Sequence, residues 1–131
     1  TLAYLPEASK QFIAPLPMAY DTSLHCYKEI SIMAGGHVGE NLPKSQAIKD
    51  ATMAHFIHAN MKENTKFIHY HGSYHSKFHE SIMWYLKQLN SELSFTTIEV
   101  VEQADISVFD KELLGNADFF IVVDEDMTKT H

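Results

Sequence analysis

The order of helical and extended segments is the feature that most restricts how this chain can fold. Apolar residues at helical spacing predict helices over residues 23–34, 45–62, 75–90 and 107–114. Runs rich in aromatic and β-branched residues predict strands over residues 66–71, 95–101 and 118–123. Strands that alternate with helices form parallel sheets covered by those helices. The sequence therefore predicts an α/β fold, a parallel sheet flanked by helices, and so few strands suggest part of a larger α/β unit.

Turn-forming residues divide the 131 residues into three parts. Three of the four prolines fall in residues 1–22, which are expected to form an irregular lead-in with one helical turn. Residues 23–124 are expected to form the α/β domain, and residues 125–131 a polar tail. Ser45 is expected to cap the second helix, and Gly35-Gly36 and Gly115 to end helices. The run DFFIVV at 118–123 is nearly all apolar, as in a strand buried on both faces.

Charge and composition exclude several classes of protein. The formal net charge of −7 argues against a nucleic-acid partner held through its phosphates. Cys26 is the only cysteine, so the chain cannot form an internal disulfide, and a cysteine-based zinc site is not expected. No apolar run reaches the roughly 18 residues of a membrane-spanning helix. The glycine-rich phosphate loops, the G-x-S-x-G elbow and the H-E-x-x-H zinc motif are all missing from the sequence.

The segment FIHYHGSYHSKFH at 67–79 holds four of the nine histidines. Gly72 follows the predicted strand 66–71 and is expected to let the backbone turn sharply. His75 then lies at the start of the next predicted helix, where the field of the helix should keep it uncharged and able to coordinate. Because parallel sheets bind ligands beyond the carboxyl ends of their strands, His71 and His75 are predicted to line a site. The alternative is that Ser73 or His75 only caps a helix.

Other side chains near this segment are further candidates. His75 and His79 are four residues apart, a spacing that can chelate a divalent metal on one helix face, although such pairs also occur on solvated surfaces. Gln46 and Asp50 share one face of the helix 45–62, so that Asp50 could orient an imidazole such as His75 or simply face solvent. Tyr74 is a candidate because a tyrosine phenolate can bind ferric haem.

Four segments together resemble the ChaN-like haem-binding lipoproteins, which belong to a wider group that includes the Tiki proteases. They are SQAIKDATMAHFI at 45–57, FIHYHGSYHS at 67–76, ESIMWYL at 80–86 and TTIEVVEQ at 96–103, within a resemblance that spans residues 20 to 125. The G-x-x-H motif of that family is matched by residues 72–75, and its helical Gln and Asp are matched by Gln46 and Asp50. Ser81 stands where many relatives have glycine.

The resemblance implies a haem-binding or iron-binding module of bacterial iron uptake. His75, Tyr74, His71 and Gly72 would contact haem or iron, and a divalent metal held by His75 and His79 is the alternative. The resemblance also implies an α/β fold with two half-sites. An earlier Gly-Glu-x-His-type motif of the family is not found here, so the chain is expected to be the C-terminal portion of such a domain.

The same resemblance implies a location in the bacterial cell envelope, either periplasmic or at the outer membrane. Contact with the membrane would be made only through an N-terminal lipid anchor that this chain does not contain. A homodimer is a separate expectation, because an isolated half of such a domain leaves apolar surface exposed. Two other functions stay open at the level of sequence. One is part of a Tiki-like metal-dependent hydrolase, in which a metal held by histidine activates water. The other is a non-catalytic interaction domain.

Overall fold

The structure is a computed structural model that describes residues 4–33 and 41–128. Four α-helices occur in the described residues: α1 (Glu7–Lys10), α2 (His25–Met33), α3 (Asn41–Asn60) and α4 (Ile82–Leu89). Two strands follow, β1 (Ile98–Gln103) and β2 (Phe119–Asp124). Short 3₁₀ turns lie at Ser73–His75, Lys77–His79 and Lys111–Leu113. No described helix is both long and apolar enough to cross a membrane.

Helices α2, α3 and α4 form the core. On α3 the small side chains of Ala47, Ala51 and Ala54 are buried at a spacing of four and three residues, so neighbouring helices can approach closely. On α4 the buried residues Ile82, Tyr85 and Leu86 follow the same helical period and pack against α3. The apolar stripes of the helices therefore fix their packing, as the sequence pattern indicates.

Cys26 and Ser81 join α2 to the turn before α4. Cys26 is fully buried on α2, and the Ser81 hydroxyl donates to its Sγ over 3.0 Å. Glu80 accepts a hydrogen bond from the backbone N–H of Cys26 over 2.8 Å. The chain around residues 80 and 81 is thus fixed to α2 by side chains from both partners.

The two strands pair in parallel, in a register that runs from Ile98↔Phe119 to Gln103↔Asp124. The connection between them passes over one face, where the rings of Phe109 and Phe120 lie 5.0 Å apart. The opposite face is exposed and apolar, with Ile98, Val100, Phe119 and Ile121 all more than half exposed. The predicted α/β class with a parallel sheet is confirmed, but the prediction that residues 118–123 are buried on both faces is wrong, because no part of residues 4–33 or 41–128 covers this face.

The predicted strand over 66–71 is wrong. Residues 66–71 are not in a strand, and β1 and β2 pair only with each other in the described part of the chain. Ile68 and Tyr70 are 74% and 89% exposed. An extended segment becomes a strand only when a neighbour accepts and donates its backbone hydrogen bonds, and none lies beside this one among the described residues. The described sheet therefore has two strands, where three were predicted.

The predicted helix over 75–90 is wrong in its first half. Phe78, His79 and Ser81 have positive φ values of 60°, 58° and 57°, which interrupt the helical hydrogen bonds, and α4 begins only at Ile82. Tertiary contacts hold this conformation, since Phe78 donates its N–H to the Asn116 carbonyl over 3.1 Å and Ser81 donates to Cys26. His75 is consequently not at an α-helix N-terminus, and the helix field expected to keep it uncharged is not there.

The other boundaries differ by smaller amounts. Helix α3 begins four residues before the predicted cap Ser45, with Pro43 in its first turn, where a proline loses no hydrogen bond. The predicted helix over 107–114 is a single 3₁₀ turn that ends before Gly115, whose φ is +94°. The predicted stop at Gly35-Gly36 lies outside the described residues. The expected lead-in over 1–22 includes α1 in its described part.

Candidate functional site

A chain of three side chains connects the core to the histidine segment. Tyr27 on α2 is 1% exposed, and its hydroxyl donates to Asp50 Oδ2 over 2.8 Å. Asp50 on α3 is fully buried, and its Oδ1 lies 2.5 Å from His75 Nδ1. Both carboxylate oxygens therefore have a donor, and the position of the His75 ring is set by two helices.

Burial controls the protonation of this chain of side chains. Removal from water raises the pKa of Asp50, while hydrogen bonds from His75 and Tyr27 act in the opposite direction without cancelling that effect. Burial also raises the pKa of Tyr27, and the neighbouring Asp50 charge adds to this. The Tyr27 phenol therefore stays protonated and remains a donor to the carboxylate at every physiological pH.

Gln46 contacts the other side of the His75 ring. Its side-chain nitrogen lies 2.8 Å from Nδ1 and 3.2 Å from Nε2. The amide nitrogen only donates. When Nδ1 of a neutral His75 donates its proton to the Asp50 carboxylate, the amide can therefore donate only to the lone pair on Nε2, the longer of the two contacts. The His75 side chain is 19% exposed, and Nε2 is the nitrogen with which it can coordinate a ligand.

Two more imidazoles lie in a row with His75. The ring of His71 is 6.2 Å from that of His75, and the ring of His69 is 5.2 Å from that of His71. His71 Nδ1 lies 3.0 Å from the Gly72 carbonyl, which can only accept, so that the lone pair of His71 is on Nε2. His69 Nε2 lies 3.4 Å from the sulfur of Met53, a residue of α3. Burial and the two neighbouring imidazoles lower the pKa of His69.

Tyr74 and Gly72 flank His75 in different ways. The Tyr74 hydroxyl donates to the Met33 sulfur over 3.0 Å, and the Lys77 ammonium lies 5.3 Å from the Tyr74 ring centre. Gly72 has an ordinary φ of −69°, and a Cβ added to it would have no neighbour within 4 Å. The prediction that a sharp turn requires glycine at position 72 is therefore wrong, because neither the backbone conformation nor the surrounding space excludes a side chain there.

His79 takes part in a different group of side chains. Its Nε2 lies 3.1 Å from Asp118 Oδ1 and 3.4 Å from the Thr97 hydroxyl, next to the start of both strands. The prediction that His75 and His79 share one helix face is wrong, because they lie in separate 3₁₀ turns. Within residues 4–33 and 41–128, no three His, Cys, Asp or Glu side chains are placed to hold a metal ion.

Two open cavities lie away from His75. One, of about 440 Å³, lies between α2 and the start of α3 and includes Tyr20, Tyr27 and Pro43. The other, of about 400 Å³, lies beside α4 and includes His79, Trp84 and Lys87. Neither is lined by His75.

Sequence reasoning brought His75, Asp50 and Gln46 together but missed two contacts. It gave Tyr27 no role, although a phenol three residues before Ile30 on the buried face of α2 is a residue that needs a polar partner inside the core. It also treated Met53 as packing and gave His69 little weight. No sequence pattern predicts the contact between Met53 and His69, because it depends on the path of residues 61–69.

Comparison with known protein families identified a related family. The model of the family described as haem-binding uptake, Tiki superfamily, ChaN matches residues 1–86, more than half of the chain. The matched range begins and ends earlier than the range 20 to 125 that the resemblance covered. No curated protein and no solved structure gave a significant match.

Proposed function

Because this chain belongs to the haem-binding uptake family of the Tiki superfamily, ChaN, we propose that it binds haem on the surface formed by His75, His71 and Gly72. We call the surface formed by His75, His71 and Gly72 the histidine face. The observation that carries the proposal is the His75 ring, with Nδ1 held by a buried carboxylate and Nε2 free to exchange its amide partner for a ligand.

The contact with Asp50 suits His75 to the role of an axial ligand of haem iron. A histidine that donates its second ring N–H to a carboxylate has a fixed orientation and is a more basic ligand. The buried Tyr27 hydroxyl in turn fixes that carboxylate. For His75 to hold haem through Nε2, Gln46 would have to give up its contact with that nitrogen, and its amide would then be able to bind a polar group of the haem. Haem itself supplies the iron chemistry.

The surroundings of the histidine face also suit a flat, largely apolar ligand. Phe67, Ile68 and Tyr70 precede the face and are exposed, so a macrocycle could cover apolar surface that water now contacts. Gly72 leaves open space above its Cα, where a Cβ would lie between the backbone and a flat ring. Tyr74 is the further candidate ligand, because its phenol has only a thioether partner to give up.

We propose that a second copy of the chain covers the bound haem, because His71 and Gly72 are exposed and the space above Gly72 is open. Two such faces would enclose the macrocycle from both sides. The proposed role is haem or iron uptake in the bacterial cell envelope, periplasmic or outer-membrane-associated, by a member of a lipoprotein family.

The proposal is tested by titrating the protein with hemin and following the Soret band. His75→Ala is expected to weaken hemin binding by more than about tenfold, since loss of a residue that only hydrogen-bonds to a metal ligand already has an effect of this size. His58→Ala, which changes an exposed histidine of α3, is the matched control and should bind like the parent. Equal affinity for parent and His75→Ala would contradict the site.

Sedimentation velocity with and without hemin tests the second copy. The expected result is a shift from monomer to dimer at one hemin per one or two chains, which His75→Ala prevents. A haem complex that stays monomeric at all concentrations would leave haem binding in place and remove the dimer.

A further inference from the structure

A sulfur and two imidazoles form a group that borders the histidine face and shares His71 with it. Met53 projects from α3, and its Sδ lies 3.4 Å from His69 Nε2. The His69 and His71 rings are 5.2 Å apart. Both histidines are exposed, and Met53 is partly buried and packed against the core, so one ligand is anchored while the other two are open to solvent.

We propose that Met53, His69 and His71 form a binding site for a single cuprous ion. The proposal shares His71 with the proposed haem surface but does not rest on haem binding, because Met53 and His69 are not part of the histidine face. The site would offer three uncharged donor atoms, two imidazole nitrogens and one thioether sulfur, which is a donor set that suits a soft cation.

The spacing of the donors fits one shared ion. For metal–nitrogen bonds of about 2.0 Å and metal–sulfur bonds of about 2.3 Å at a tetrahedral angle, the two donor atoms lie roughly 3.5 Å apart. The His69 Nε2 to Met53 Sδ distance is 3.4 Å. Two imidazoles on one ion have ring centres roughly 5 to 5.5 Å apart, from the same bond lengths. The His69 and His71 rings meet this condition at 5.2 Å.

The protonation of both imidazoles is compatible with coordination. The His71 proton lies on Nδ1, against the Gly72 carbonyl, so its Nε2 presents a lone pair. Neutral His69 coordinates through Nε2 once its proton has moved to Nδ1 through solvent. Binding of the ion then changes the tautomer of His69 and releases no net proton.

The donor set selects the metal. Thioether sulfur is a soft ligand that favours Cu(I), and imidazole binds copper as well, whereas hard cations require carboxylate or carbonyl oxygen. No described group of three His, Cys, Asp or Glu side chains offers Zn²⁺ the four-ligand cage of a structural site. The Asp50 carboxylate is already occupied by Tyr27 and His75.

The experiment is an anaerobic titration of the full chain with Cu(I), in competition with a chromophoric Cu(I) chelator. The expected result is one Cu(I) per chain in the parent, and an affinity lower by more than about tenfold in Met53→Leu and in His69→Gln. Met53→Leu conserves side-chain volume, so far-UV circular dichroism should match the parent. Met127→Leu and His58→Gln, both at exposed positions, are the matched controls and should keep the parent affinity.

Several outcomes would overturn the copper site. They are the lack of a stoichiometric Cu(I) complex in the parent, unchanged affinity in both site variants, and an equal loss in the controls. Loss of Cu(I) in Cys26→Ser but not in Met53→Leu would assign the ion to the thiol instead, and stronger binding of Zn²⁺ than of Cu(I) would exclude a soft site. Retention of hemin binding by Met53→Leu would show that a failure of the copper site leaves the haem proposal intact.

Discussion

His79 and Asp118 join the helical part of the protein to its sheet through a contact of 3.1 Å between Nε2 and Oδ1. Asp118 directly precedes β2 and also accepts hydrogen bonds from the Thr97 backbone and hydroxyl at 2.8 and 3.0 Å. Thr97 returns a bond by accepting the Asp118 N–H over 2.9 Å. The Asp118 carboxylate therefore both helps to set the register of the two strands and connects them to the turn before α4.

Asp118 should make stability fall in acid. The backbone hydrogen bond from Thr97 is the main cause that lowers the pKa of Asp118 below its usual 3.8, with His79 contributing less. A lowered pKa gives stability that is present above the unfolded value and is lost as pH falls through the folded value. Asp118→Asn should thus be less stable than the parent at pH 7, with a difference that shrinks below pH 3.8. Urea unfolding at pH 7 and pH 3 measures this, and Asp110→Asn at an exposed turn is the control; a pH-independent difference would contradict it.

Asp50 should have the opposite pH dependence. Burial raises the pKa of Asp50, so ionised Asp50 lowers stability, and this cost grows as pH rises from 3.8 through the folded value. Asp50→Asn should therefore gain stability relative to the parent as pH increases, while its hemin affinity decreases because the imidazole has lost its carboxylate. The comparison is made by urea unfolding between pH 4 and pH 8 in a His75→Gln background, so that no imidazole titrates beside it. A stability difference that falls with pH would refute the assignment.

Gly72→Ala should separate folding from ligand binding. The φ of −69° and the open space around Gly72 allow a methyl group, so stability should be unchanged or higher by up to about 1 kcal/mol through the unfolded state. Hemin affinity should fall because the methyl group stands between the backbone and the macrocycle.

Gly115→Ala is the counterpart, since a φ of +94° is strained for alanine and should cost about 1 kcal/mol or more. Its hemin affinity should match the parent. Thermal unfolding and hemin titration of the two variants give the four values needed, and equal hemin affinity in Gly72→Ala would remove that glycine from the site.

Tyr27→Phe should change both the stability of the protein and the electronic properties of its haem site through Asp50. Removing the hydroxyl leaves one oxygen of a buried carboxylate without its donor, at a cost of about 1 to 3 kcal/mol of stability. The Soret maximum and reduction potential of the hemin complex should also shift, because Asp50 can then accept more strongly from His75. Thr52→Val removes a partly buried hydroxyl of α3, which accepts the Ala14 N–H over 3.1 Å, and should leave the spectrum and potential unchanged. The same spectral change in both variants would contradict a specific effect through Asp50 and indicate a general loss of packing in the core.

The predictions from sequence succeeded where periodicity decides and failed where a partner decides. Helices α2, α3 and α4 follow from apolar spacing, and Gln46 and Asp50 are one helical turn apart, so their common side could be read directly. The strand at 66–71 required a neighbour that no local pattern reveals. The helical start at His75 was prevented by the contacts of Phe78 and Ser81 with Asn116 and Cys26, which are remote in sequence.

The candidate site divides in the same way. Residue type and spacing pointed to His75, His71 and Asp50, because imidazoles and carboxylates near a predicted turn are rare enough to notice. The contact of His69 with Met53 depends on how residues 61–69 cross α3, and the role of Tyr27 depends on the packing of α2 against α3. Such contacts appear only once the helices are assembled.

The buried sulfur of Cys26 makes the chain its own reporter of opening. Burial raises the pKa of this thiol to about 12, and its side chain is shielded from water by α2 and the Ser81 turn. A thiol-reactive dye can modify it only in molecules where that turn has separated from the helix. Because the sequence holds no second cysteine, the labelling rate would report the opening of this region alone, without an engineered probe.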